Sequence, residues 1–219
     1  PRLLVSLVQM SPSAGPYDHR TPSGYTGSIP TPGIPDPVGD GPDGVRAKVR
    51  ELVQYGADVI KVFATGHLSM ARDGARRSLF TADELLAITD EAARQGVRVM
   101  AHAHGAAGAA AAARAGVASI EHGFYLDDDA LAQMAVGGVV LVPTLLASAG
   151  MVEDADDDAR PAAESLARAH RAVVTRALEL GALDAVGIDP DAELTFVATP
   201  VSSVMPALTL ACSDRKTAG

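Results

Sequence analysis

Apolar residues recur along this chain in two alternating rhythms. Val45, Val49, Leu52 and Val53 fall at i, i+4, i+7 and i+8, one face of a helix, and Gly56 closes it as a left-handed cap would. An apolar strand, Ala57–Ala64, follows, and the unit then repeats. Thr81 with Glu84 three residues on forms a capping box that opens a second helix, which ends at Gly96 before a strand at Val97–Ala101. Gly105–Ala115 predicts a helix closed by Gly116 and followed by a strand at Val117–Glu121. Asp127–Val136 and Arg160–Leu180 predict two more helices. Gly137–Gly138 and Gly181 lead from them into strands at Val139–Val142 and Leu183–Ile188. Ahead of all this, Arg2–Val8 reads as a buried strand.

Strands that are apolar on both faces and alternate with helices form parallel sheets covered by those helices. Right-handed crossovers then leave two architectures, an open doubly wound sheet or a closed barrel, and the period alone does not separate them. Ser11–Gly44 is different in kind. Eight of the 14 prolines lie between Pro12 and Pro42, which removes backbone donors and predicts a long loop. That loop carries Tyr17, Asp18 and His19, polar groups that a substrate could use.

Composition narrows the partners. A chain of 219 residues, 47% hydrophobic and 21% charged, suits one globular domain with a sizeable core. Its net charge of −9 argues against nucleic acid or an anionic membrane as partner, since both demand a basic surface. No apolar run approaches the roughly 20 residues of a membrane span. The lone Cys212 excludes an internal disulfide and a cysteine-based zinc site. With no signal-peptide pattern, a cytoplasmic location is the expectation. The chain opens on Pro1 and enters core at once, so a fragment of a longer protein is expected. Residues 1–193 would form part of a barrel and 194–219 a tail without a legible pattern. Self-association into a homo-oligomer is compatible with all of this.

The chemistry sits at the carboxyl ends of the predicted strands: Lys61, then His102 and His104, then Glu121 and His122, and finally Asp189. Imidazoles and a carboxylate converging from separate strands onto one rim is how a barrel builds an active site, and an open sheet converges fewer. A charged lysine within an apolar strand is expensive to bury unpaired, so burial should favour a neutral, nucleophilic amine. Such an amine can form a Schiff base or take up carbon dioxide as a carbamate; alternatively Lys61 snorkels at the strand end. A lone histidine is ordinarily a core residue satisfied by backbone, but His102, His104 and His122 together favour a metal. The strand is expected to end between His102 and His104, with His102 inward as ligand and His104 at the pocket rim. His102 stands six residues past Gly96 and His122 six past Gly116, which predicts equal depth. His67 lies on the loop after Lys61, where nothing requires it. His170 reads as a solvated residue on its helix.

These residues carry a resemblance. Gly-Ala-Asp-Val-Ile-Lys-Val-Phe-Ala-Thr-Gly (56–66), Phe-Thr-Ala-Asp-Glu-Leu (80–85), Val-Arg-Val-Met-Ala-His-Ala-His-Gly (97–105) and Ser-Ile-Glu-His-Gly (119–123) resemble the amidohydrolase superfamily. More narrowly, they resemble its prolidase-like branch of binuclear dipeptidases and carboxypeptidases. The resemblance implies an α/β fold, a (β/α)8 barrel that this chain holds incompletely. It implies two divalent metal ions, zinc in the first instance, bridged by a carboxylated Lys61 and bound by His102 and His122. It implies amide or peptide hydrolysis of a dipeptide-like small molecule by a metal-bridging hydroxide. Asp189 would be the general base, and Tyr125, His104 and His19 would contact substrate, Tyr125 and His19 holding its carboxylate. Two departures stand out. The branch's first-strand His-x-His pair is absent, and its Gly-Thr-Asp appears here as Gly-Ile-Asp-Pro. Residues 1–219 alone are therefore expected to bind at most one metal weakly and to lack turnover. The rival readings are a cyclic-amide hydrolase or deaminase of the same superfamily, a Schiff-base aldolase barrel using Lys61, and a degenerate barrel without activity.

Overall fold

A computed structural model describes residues 4–21, 23, 33–68, 70 and 73–180 of the chain. Helix and strand alternate much as the sequence predicts. The elements run β1 (Gln9–Met10), α1 (Gly41–Gln54), β2 (Val59–Phe63), α2 (Ala82–Arg94), β3 (Arg98–Gly105) and α3 (Ala106–Ala115). They continue through β4 (Ser119–Tyr125), α4 (Asp128–Gly137), β5 (Val140–Val142), α5 (Leu145–Glu153) and α6 (Arg160–Glu179). The capping box forms: Thr81 Oγ1 accepts from the Glu84 amide at 3.3 Å, and the Thr81 amide donates to Glu84 Oε2 at 2.8 Å. Gly116 and Gly138 close α3 and α4 in the left-handed conformation, with φ of 88° and 62°.

The five strands among the described residues are all parallel, and their order in the sheet is β1-β2-β3-β4-β5. Each strand lies beside its predecessor without reversal. A doubly wound sheet reverses direction at a switch point, whereas a (β/α) barrel adds strands in one direction only. The helices also keep to one side. Ile60 and Val62 of β2, Val99 and Ala101 of β3, Ile120 of β4 and Leu141 of β5 share one core cluster with Leu52, Ile88 and Leu131 of the helices. Successive side chains of a strand point to opposite faces. Lys61, Phe63, Met100, His102, Ser119 and Glu121 therefore occupy the other face, which is the inner wall of a partial barrel.

Three expectations need correction. The strand expected at Arg2–Val8 is not formed over its described residues, 4–8: pairing with β2 begins only at Gln9, opposite Lys61. Leu7 has a φ of 63°, a left-handed kink that breaks the extended run. Val5 instead exchanges hydrogen bonds with Asp58. Next, β3 runs four residues past the predicted end, so both histidines lie within it. Finally, α5 is a helix that the apolar pattern did not predict. The predicted strand at Leu183–Ile188 and the division at residue 193 lie outside the described residues.

The capping box makes a direct test of the local reading. Thr81→Ala should lower the free energy of unfolding by about 1 kcal/mol, read from the urea midpoint, and Thr81→Ser should not. Equal midpoints for all three proteins would show that the box contributes nothing.

Candidate active site

Alternation places Lys61 and His102 on the inner wall, but it cannot by itself place both Glu121 and His122 there. Adjacent strand residues face opposite ways. The structure resolves this with a bulge. β3 and β4 pair Ala103 with His122 but Gly105 with Tyr125, so β4 carries one residue more than its partner. At that point His122 and Gly123 both adopt left-handed backbone, with φ of 76° and 68°. A bulge re-aims a side chain and locally increases twist. Here it brings the His122 ring to the same side as His102, 4.8 Å away between centroids.

Three imidazoles thus gather on the inner wall. His102 and His104 are 4.4 Å apart, and His104 and His122 are 5.4 Å apart. His67, from the loop after β2, stacks on His102 at 5.7 Å. The same loop supplies backbone and hydroxyl contacts. The His104 amide donates to Thr65 Oγ1 at 2.8 Å, and His102 Nε2 lies 3.3 Å from the Gly66 carbonyl. A carbonyl only accepts, so that bond puts the proton of His102 on Nε2 and leaves Nδ1 as a lone pair. His122 Nδ1 meets Thr144 Oγ1 at 2.8 Å.

His104 is 2% exposed and His102 3%, so the residue expected at the pocket rim is as deeply buried as the expected ligand. Its Nδ1 is buried without a hydrogen-bond partner, the one such side-chain atom among the described residues. An orphaned buried polar atom carries a penalty of about 1–3 kcal/mol, and it marks a place where a ligand completes the bonding. The equal depth expected of His102 and His122 does not hold either. His102 stands opposite Glu121, and His122 sits one step further along, because parallel strands in a barrel are staggered.

Burial sets the protonation of this cluster. It lowers the His102 pKa to about 2, helped by the neighbouring His104 and His122. It lowers His104 to about 3 and His122 to about 4, the latter also through the Lys61 charge. All three rings are therefore neutral, with lone pairs available. Burial likewise lowers the pKa of Lys61, opposed by the carboxylate of Glu121. Glu121 is buried and accepts a hydrogen bond from Ser119 Oγ at 2.6 Å. The sequence offered Glu121 as a strand-end acid, and plain alternation along β4, ahead of the bulge, puts it on the inner wall with Lys61.

The remaining predicted residues fall at varied distances. Tyr125 ends β4, half-buried, with the Arg76 guanidinium 4.0 Å above its ring. His19 is exposed and makes edge contact with Tyr17 at 5.9 Å; Tyr17 packs on Phe63, and Phe63 on His102. It reaches the cluster only through those two rings. Asp189 lies outside the described residues. His170 is a correction: it is fully buried, not solvated, and its Nε2 lies 2.8 Å from the His122 carbonyl. Ala167, His170 and Ala177 form the buried stripe of α6.

Residues 13–213 match the Amidohydrolase family. The chain belongs to the amidohydrolase family. Over 158 residues, 69% of this chain, it is 36% identical to ochratoxinase of Aspergillus niger. The crystal structure of A. niger ochratoxinase superposes with a TM-score of 0.71 at 30% identity, covering 85% of this chain and 46% of that one. A Xaa-Pro dipeptidase with methionine bound in its active site gives a TM-score of 0.67 at 31% identity, covering 80% of this chain and 44% of that one. The chain spans about a third of the length of the curated relatives it matches. Amidohydrolases generally act with two metal ions. Among the described residues, no three His, Cys, Asp or Glu side chains are placed to hold a metal ion as they stand. What fits a metal is the donor chemistry: neutral imidazoles, an orphaned ring nitrogen and a desolvated amine on one wall.

The bulge itself can be tested. A Cβ on Gly123 would meet Leu126 Cδ1 and Leu141 Cδ1 at 2.9 Å, on backbone that already disfavours a side chain. Gly123→Ala should lower stability by about 1–3 kcal/mol in urea unfolding. An unchanged midpoint would mean that β4 does not need this conformation.

Proposed function

We propose that this protein hydrolyses the C–N bond of a dipeptide-like amide with the help of bound divalent metal, zinc being the first candidate. One observation carries this reading: a desolvated lysine and three neutral imidazoles share a single wall, and one imidazole has an orphaned nitrogen. Lys61, as its carbamate, together with His102 and His122 would hold the metal. The metal, when bound, supplies electrophilic polarisation of the scissile carbonyl and a water nucleophile active near neutral pH. The rest falls to the chain's own residues. His104, with its buried Nδ1, is placed to hydrogen-bond the substrate. Tyr125 presents its hydroxyl to a substrate carboxylate, and the Arg76 guanidinium above its ring adds the complementary charge. Asp189 is the general base in this scheme. The solved relatives support the substrate class, since one is a Xaa-Pro dipeptidase and another a prolidase complexed with N-methylphosphonate-L-proline.

The rival use of Lys61 is Schiff-base chemistry, and the two are separable. Hydrolysis of a panel of dipeptides and N-acyl amino acids should release the carboxyl-terminal amino acid. Lys61→Met and His122→Asn should each reduce kcat/KM at least about 100-fold. Tyr125→Phe should raise KM about 10-fold and leave kcat near its original value, as expected for one hydrogen bond to a charged group. Full amide hydrolysis by Lys61→Met, or borohydride trapping of a substrate on Lys61 without amide hydrolysis, would overturn the proposal.

A further inference from the structure

His170 lies outside the sheet, on α6, yet it is fully buried and touches β4 at its most strained point. Its Nε2 is 2.8 Å from the His122 carbonyl, and because a carbonyl only accepts, Nε2 carries the proton. Burial lowers the His170 pKa and keeps the ring neutral, so Nδ1 is a lone pair. Ser148 Oγ lies 3.1 Å from that nitrogen and donates its proton to the Leu145 carbonyl at 2.9 Å. The ring packs against Phe124 with centroids 4.0 Å apart. One imidazole thus ties α6 both to the bulge of β4 and to α5.

The two ends of His122 are fixed by this arrangement. Its carbonyl is held by His170, and its ring Nδ1 by Thr144, which directly precedes α5. A non-glycine residue at a φ of 76° is strained and persists only where its surroundings over-determine it. His122 Nδ1 lies 2.8 Å from Thr144 Oγ1, and in the tautomer in which Nδ1 donates to that hydroxyl, Nε2 is the lone pair. We infer that His170 is a positioning residue: by gripping the His122 carbonyl it fixes the left-handed backbone, and with it the tautomer and aim of the His122 ring. Its consequence for turnover rests on the amide-hydrolysis reading; the grip itself does not.

The test separates these. In 15N-histidine-labelled, metal-free protein, long-range 1H–15N correlation should show the His122 ring in a single tautomer, protonated on Nδ1. His170→Gln carries an amide nitrogen at the position of Nε2 and should keep that tautomer and kcat/KM within about threefold. His170→Asn carries its nitrogen at the position of Nδ1, where it meets Ser148 but not the carbonyl. It should average the His122 tautomers and lower kcat/KM about 10–100-fold. A fixed tautomer in His170→Asn, or equal loss in both variants, would overturn the inference. Unfolding of both would also overturn it, by making His170 a core residue only. Loss of the tautomer in His170→Asn, with no amide hydrolysed by any form, would uphold the positioning role and remove the hydrolase reading instead.

Discussion

The candidate site depends on a left-handed bend at two successive residues of β4. Without it, strand alternation would send Glu121 and His122 to opposite faces, and one of them would be lost among the helices. With it, Glu121 faces Lys61 while His122 turns toward His102. Gly123 makes the second half of the bend inexpensive, because no side chain opposes its positive φ. His122 itself has no such freedom, and its conformation is stored against the hydrogen bonds of His170 and Thr144. Strain of this kind collects where geometry serves chemistry rather than stability.

Desolvation does the rest. Four ionisable groups on the inner wall, Lys61, His102, His104 and His122, are all driven toward their neutral forms. Three imidazolium rings at such spacing would repel strongly in a medium of low dielectric, so neutrality is the condition for packing the imidazoles together. It is also the condition for reactivity. A neutral imidazole offers a lone pair and a neutral amine a nucleophile, whereas their protonated forms offer neither. The same burial that stabilises the neutral fold therefore prepares the donors.

Much of this was legible in the sequence, and the pattern of success is physical. The helix–glycine–strand units were readable because each rests on local signals: the Thr81–Glu84 box, the left-handed glycines and apolar periodicity. Lys61, His102 and His122 stood out because polar groups inside apolar strands need a reason. What could not be read was whatever depends on partners distant in the chain. His170 bonds a carbonyl 48 residues away and meets a hydroxyl 22 residues away, and its place on the helix names neither partner. The kinks at Leu7 and His122 are backbone choices imposed by neighbours, with no mark in those two residue types. Nor did spacing from glycine caps report depth, because stagger between strands is a property of the closed sheet.

The two faces of the sheet divide the work. On the outer face, Ile60, Val62, Val99, Ala101, Ile120 and Leu141 meet helices rich in alanine and leucine, with nothing left to satisfy. On the inner face lie an orphaned nitrogen, a desolvated amine and a strained backbone, each unfavourable to the fold. The period of two along every strand lets one sequence do both, assigning alternate positions to stability and to chemistry. The outer packing must then exceed the sum of the inner penalties, which is feasible because each fully buried Val, Leu or Ile contributes about 1.5–3 kcal/mol. Only at His122 does this separation fail. There the chemistry needs a residue from the stabilising register, and the fold answers with a bulge on one strand and a buried histidine behind it.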